Sequence, residues 1–248
     1  INRKSGSLGL VFHNGFLGVN DYIIHNKIKK AMKKIKVLNL YACLGGNRYK
    51  WDEVADIEVT AVELDEELAK LYKERFPNDT VVVGDAHQYL LDHYKEFDFV
   101  WTSPPCPTHS RLVMSNKNKI QMQYPDMKLN QGIIFLDKIF NGKYVVENVI
   151  PYYQLLIPAQ KRHRHLYWSN VRLPHQLTSR KSVNWQKMTG EIPAWNEFHD
   201  YDFYKYKGKQ PRSKIARNLV DYEAGKTIFQ AVVDSMQNKP AKQIGLFA

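Results

Sequence analysis

Only two of the 248 residues are cysteine, Cys43 and Cys106. That is too few for a disulfide framework or a four-thiolate zinc site, so a reducing compartment is expected and each thiol stands alone. No stretch reaches the roughly 20 apolar residues of a membrane span. The opening residues also lack the basic, apolar, small-residue order of a secretion signal. A soluble, intracellular chain is the expectation. Thirteen glycines and eleven prolines are too few for a collagenous or low-complexity chain. The 44% hydrophobic and 25% charged residues disfavour disorder. Acidic residues are scarce beside basic ones, 25 against 36, giving a net charge of +11 with 12% aromatics. Such a balance suits either a nucleic-acid partner or a solvated basic surface, and position along the chain must decide. The length fits one large α/β domain with an appendage.

Residues 1–34 hold a Gly-rich stretch and a basic run from Lys27 to Lys34, with little apolar periodicity. From Ile35 the pattern becomes short apolar runs separated by helical or turn-like stretches, the rhythm of βαβ units and a mostly parallel sheet. The runs Lys36 to Tyr41, Ile57 to Val62, Thr80 to Val83, Phe97 to Thr102 and Tyr144 to Val146 are predicted strands, with a sixth at His165 to Asn170. Asp65 is the predicted N-cap of a helix running to Phe76, where Pro77 stops it. Between Val171 and Arg212 periodicity gives way to a polar, aromatic-rich stretch, read as a small separate lobe. Ile228, Phe229, Val232, Val233 and Met236 then mark one helix face.

Each of the first five predicted strands delivers a polar or Gly-rich group at its carboxyl end, the edge where open parallel sheets bind ligands. The first delivers Gly45 and Gly46, the second Glu63, a carboxylate able to accept both hydroxyls of a ribose. The third delivers Asp85, either an acceptor for an adenine amino group or an ordinary turn aspartate. The fourth delivers Cys106 on the turn Ser103-Pro104-Pro105-Cys106-Pro107, whose prolines exclude helix. The fifth brings Glu147-Asn148-Val149, placing a carboxyl near that thiol. A nucleophile beside an acid points to covalent catalysis. A buried thiol after a proline turn is also an ordinary small hydrophobe. Cys43 reads as structural, and His109, though near Cys106, reads as a solvated loop residue.

With these residues in linear order, the chain over residues 35 to 236 resembles the DNA (cytosine-5)-methyltransferases, in a compact bacterial or phage-type form. The matching segments are Tyr41 to Gly46, Glu63, Asp85, Pro105-Cys106, Glu147-Asn148-Val149, Gln160-Lys161-Arg162-His163-Arg164, the stretch 171–212 and Arg217-Asn218-Leu219-Val220. Two departures stand out: Tyr41-Ala42-Cys43 replaces the family's Phe-x-Gly, and Arg217-Asn218-Leu219-Val220 its Gly-Asn-Ser-Val. The resemblance implies a Rossmann-like methyltransferase fold with a mostly parallel central sheet and a small target-recognition lobe. After an N-terminal basic extension (1–34) that the resemblance does not cover, the chain divides into an S-adenosylmethionine-binding catalytic domain (35–170), a short target-recognition region (171–212), and a C-terminal helix and tail (213–248).

The same resemblance implies methyl transfer from S-adenosyl-L-methionine to C5 of a flipped-out cytosine through a Cys106 adduct at C6, without a metal. It assigns catalysis to Cys106, Glu147, Arg164 and, as an orienting residue, Asn148. The cofactor falls to Tyr41, Ala42, Gly45, Gly46, Glu63, Leu64, Asp85, Ala86, Pro104 and Asn218. Ser110, Arg111, Arg162, Lys181, Trp185 and Lys187 are its candidate DNA contacts. Expected partners are double-stranded DNA and a cognate restriction endonuclease, with a monomer in the cytoplasm of a bacterial or phage-infected cell. Three alternatives remain. Ser103-Pro104-Pro105 also resembles the motif of exocyclic-amine methyltransferases, although Cys106 stands where they have an aromatic. A tRNA cytosine-5 methyltransferase and an inactive DNA-binding homologue are the others.

Overall fold

The short apolar runs form one seven-stranded sheet. The computed structural model describes residues 34–115, 118, 121–178 and 192–237. Its strands are β1 (Ile35–Leu40), β2 (Ile57–Glu63), β3 (Thr80–Val83), β4 (Phe99–Thr102), β5 (Lys143–Val149), β6 (Gln160–Arg162) and β7 (His165–Ser169). Its helices are α1 (Glu66–Arg75), α2 (Ala86–His93), α3 (Leu112–Ser115), α4 (Lys128–Lys138), α5 (Ile192–His199), α6 (Arg212–Asn218) and α7 (Tyr222–Gln237). The strand order is β3-β2-β1-β4-β5-β7-β6. β1 to β5 pair in parallel, and β7 runs antiparallel to both β5 and β6. The order reverses between β1 and β4, the switch point that leaves a crevice at the strands' carboxyl ends. This is the Rossmann-like α/β architecture expected from the sequence.

Parallel strands covered on both faces need apolar residues at successive positions, and alternate side chains here enter opposite cores. Val37, Val59, Phe99, Trp101 and Val145 pack with Trp51 and with Ile228, Phe229, Val232 and Val233 of α7. Leu38, Leu40, Val62, Val100 and Val146 pack on the other face with Leu90, Ile133 and Leu136. Asp65 caps α1 as predicted, accepting from the Glu67 and Leu68 amides. Beneath the β2–β3 edge lies a buried ion pair. Arg48, 4% exposed, donates Nε and Nη2 to the two oxygens of Asp79, 3% exposed, and Tyr72 adds its hydroxyl at 2.9 Å.

Three differences from the sequence reading affect the site. β5 continues through Val149, so Glu147 and Asn148 sit inside the strand rather than beyond it. β6 was not foreseen, because an edge strand of Gln160, Lys161 and Arg162 carries no apolar alternation. Finally, part of the stretch read as a separate lobe is built into the domain. Trp195, Phe203 and Tyr206 are fully buried against Leu44, Leu68, Leu71 and Ile215. Aromatic burial, not chain-local periodicity, fixes this segment.

Candidate active site

The carboxyl ends of β1, β2, β4 and β5 open onto a cavity of about 960 Å³. One side is walled by the turn after β1. Tyr41, Cys43 and Gly45 take positive φ there, at 55°, 48° and 66°. Cys43 thus adopts the left-handed conformation for which the family motif supplies a glycine, at a cost of roughly 1–2 kcal/mol. Its thiol is buried and pushed up to about 12 by burial and then by Glu63, as suits a structural group. Gly46 lines the cavity. Gly45 faces α1 instead: a side chain there would meet the rings of Phe76 and Tyr72 at 2.4 and 2.7 Å. Its role is to let the turn pack on α1.

A Cβ on Gly46 would come within 2.4 Å of the Val220 carbonyl. Gly46→Ala is therefore expected to cost roughly 1–3 kcal/mol, read as a fall in the thermal midpoint of about 2–4 °C per kcal/mol. At Gly84 nothing lies within 4 Å, so Gly84→Ala should leave the midpoint unlowered. A Gly46→Ala midpoint equal to wild type would remove the contact from the account.

Glu63 ends β2 with both oxygens on the turn. Oε2 accepts from the Cys43 amide at 2.8 Å, and Oε1 from Leu64 and Asp65 at 2.9 and 3.0 Å. Burial nevertheless raises its carboxyl above the usual range, the amides opposing. Oε2 retains a lone pair for a hydroxyl donor. Asp85 is the N-cap of α2, its Oδ1 accepting from His87 and Gln88 at 2.8 and 3.2 Å and its Oδ2 facing Lys128 at 3.5 Å. Those amides hold its carboxyl low against partial burial, with Lys128 adding to the effect. Tyr41, Ala42, Leu64, Ala86, Pro104 and Asn218 also line the cavity, and Leu64 is an apolar side chain left 72% exposed. Among the described residues, an open apolar side chain beside two carboxylates and a glycine turn fits a nucleoside with a flat base and a ribose.

Across the cavity, Cys106 is half-buried on the proline turn after β4. Its carbonyl accepts from the amides of His109 and Ser110, both at 3.0 Å. Asn148 donates to the Pro104 carbonyl at 3.0 Å, tying that turn to β5. Glu147 is 7% exposed and lines the same cavity. Burial and then Glu147 push the Cys106 thiol up, while Lys214 of α6 pulls it down. Glu147 Oε1 accepts from Nδ1 of His165 on β7.

His165 and Lys214 were not singled out from the sequence. Lys214 carries no local signal, whereas His165 directly follows the Gln160 to Arg164 segment. His109, read as solvated, is 1% exposed and in the cavity wall, its Nδ1 paired with the Tyr153 hydroxyl at 2.6 Å. Burial lowers its pKa.

Arg164 and Arg162 both border the cavity. Arg162 is engaged within the protein. Its guanidinium donates to the carbonyls of Pro174, Lys161 and Leu173 and to Gln160 Oε1, latching the segment after β7 onto β6. Ser110 and Arg111 pack along Pro151 through a bridge and a 3.4 Å hydrogen bond, outside the cavity lining. Lys181, Trp185 and Lys187 lie outside the described residues, as do residues 1–33.

A family model described as C-5 cytosine-specific DNA methylase matches residues 35–150. No curated protein sequence matches the chain. Among solved structures, a mutant of DNMT2 from Spodoptera frugiperda is 27% identical, over 47% of this chain and 36% of that one, with a TM-score of 0.36. A SAM-dependent methyltransferase from Agrobacterium tumefaciens is 18% identical, over 53% and 45%, with a TM-score of 0.35. The Entamoeba histolytica methyltransferase EhMeth is 10% identical, over 82% and 98%, with a TM-score of 0.41. The chain spans only about a third of the length of the first of these. The matched segment, residues 35–150, holds the glycine turn, Glu63, Asp85, Cys106 and Glu147, and over that segment the chain is similar to the C-5 cytosine-specific DNA methylases.

Proposed function

We propose that the protein is an S-adenosylmethionine-dependent methyltransferase acting on C5 of cytosine in double-stranded DNA. One observation carries the reading: Cys106 and Glu147 share a single cavity with Gly46, Glu63 and Asp85. A nucleophile and a buried acid thus face a nucleoside cradle. Glu63 would hold the ribose hydroxyls, Tyr41 and Leu64 would flank the adenine, and Asp85 would meet its amino group. When bound, S-adenosylmethionine would supply an electrophilic methyl group, with S-adenosyl-L-homocysteine as the leaving product.

The target cytosine must leave the stack, because its reactive atoms are inaccessible within the duplex. Cys106 as thiolate adds to C6. Glu147 holds a proton at N3 and accepts from the exocyclic amine, so that negative charge does not accumulate on the ring and C5 becomes nucleophilic. Loss of the C5 proton and expulsion of the Cys106 thiolate restore the aromatic ring after methylation. Asn148 keeps the nucleophile's turn against the acid's strand through Pro104. Arg164, at the cavity edge, stands beside the base or its flanking phosphate.

The test is transfer of labelled methyl from S-adenosylmethionine to duplex DNA and, in parallel, to tRNA. Incorporation into DNA at cytosine C5, mapped by bisulfite sequencing, is the expected result. Incorporation into tRNA alone, or into an exocyclic amine, would overturn the reading. DNA affinity should also fall with salt, with a slope of about 0.9 per phosphate contacted.

A further inference from the structure

Glu147 must present an oxygen to the base, yet it is a buried side chain with a rotatable carboxyl group. The sheet supplies a clamp for it. β7 runs antiparallel to β5 with Glu147 opposite Tyr167 and Val149 opposite His165. His165 is therefore the diagonal neighbour of Glu147 on the same sheet face, within reach of a long side chain. Its Nδ1 donates to Oε1, and among the described residues Oε2 carries no hydrogen bond. We propose that His165 is the positioning residue for Glu147, fixing Oε1 so that Oε2 is aimed at N3 of the target cytosine; the proposal rests on the cytosine-5 reading above.

The surroundings define what titration of His165 would do. Facing it are Glu147 from β5, Arg162 directly opposite on β6, Tyr167 from its own strand and Arg164 from the turn just before it, with Cys106 lining the same cavity. The Arg162 guanidinium is engaged by the Leu173 and Pro174 carbonyls. Burial alone would lower the imidazole's pKa and Arg164 adds to that, but Glu147 outweighs both and raises it. Neutral His165 with its proton on Nδ1 orients the carboxylate and leaves its charge intact. The imidazolium orients it equally well but compensates the charge that must stabilise a proton on N3. Methyl transfer is then expected to weaken as pH falls through the His165 pKa, a step separate from the higher one set by the Cys106 thiol.

Single-turnover methyl transfer to duplex DNA, followed against pH for wild type, His165→Asn and His165→Leu, tests this. Asparagine keeps a donor near the Nδ1 position without a titrating charge. His165→Leu should lose about tenfold in rate, with DNA and S-adenosylmethionine affinities unchanged, an effect within the range of acid–base positioning. His165→Asn should stay within about threefold of wild type and lack the lower of the two acid-side steps. In the protein without DNA, the His165 imidazole resonance should titrate at lower pH when Glu147 is changed to Gln. A His165→Leu rate equal to wild type, an Asn variant as slow as the Leu variant, or a lower step surviving in the Asn variant would each overturn the proposal. A wild type that methylates no DNA cytosine overturns the functional reading as well, whereas an active wild type beside an unaffected Leu variant overturns this proposal alone.

Discussion

Replacing Cys106 by alanine should abolish methyl transfer to DNA, by about a thousandfold or more, since the adduct that activates C5 cannot form. The same substitution should eliminate covalent trapping on duplex DNA containing 5-fluorocytosine, in which the C5 substituent cannot leave as a proton and the adduct persists. Cys43→Ala is the matched control, because Cys43 is the other thiol and lies on the turn after β1. That variant should still trap. The pH dependence follows from the setting of the nucleophile. Burial and then Glu147 raise the Cys106 thiol above its ordinary range, so the thiolate is the minor form at neutral pH and the rate should climb with pH toward that raised value. Lys214 is the opposing cation, and Lys214→Met should move the climb to higher pH. Undiminished transfer by Cys106→Ala would remove the covalent route.

The second large effect concerns stability. Asp79→Asn should cost roughly 3–5 kcal/mol, because it leaves the buried Arg48 guanidinium without its principal counter-charge. In the folded protein, burial would depress the Arg48 pKa, but hydrogen bonds to Asp79 and Asp52 more than reverse that, so the cation persists. Asp52 also bonds Arg48, yet its side chain is 66% exposed, and an exposed partner contributes about 0–1 kcal/mol. Asp52→Asn should accordingly be mild. Urea unfolding distinguishes the two: the midpoint should drop steeply for Asp79→Asn at unchanged slope, and little for Asp52→Asn. Equal effects would show that burial is not the deciding factor.

What could be read from the chain alone was whatever is encoded within a few residues. Thr80 to Val83 is a strand with those same bounds, and the α1 cap at Asp65 followed from an acid before an apolar run that ends at Pro77. The order Glu63, Asp85, Cys106, Glu147 was also legible, since each residue ends or follows an apolar run that a parallel sheet aligns. What escaped depends on neighbours distant in sequence. The Glu147–His165 pair exists only because β7 turns back antiparallel to β5, and Arg162 becomes a latch only once β6 and Leu173 are adjacent. Gly45 and Gly46 look alike in sequence, but one faces α1 and the other the cavity. Trp195 and Phe203 were likewise unreadable as core, because their partners, Leu44 and Leu68, lie far upstream.

The glycine turn is closed from the far end of the domain. Trp51 Nε1 donates to the Gly225 carbonyl at 3.3 Å across 174 residues, Lys50 pairs with Glu223 over a similar span, and Gly225 of α7 sits so near Asn47 that a Cβ would lie 2.4 Å from its carbonyl. On a ribosome the turn therefore emerges long before the helix that completes it. Synthesis proceeds at about 5–20 residues per second, so the nascent chain spends on the order of ten seconds or more with its nucleoside cradle half built. Contacts this remote also slow folding, since the intervening chain must first be ordered. The cradle is among the first parts of the domain to be made and among the last to be finished, which withholds a competent site from any chain interrupted before α7.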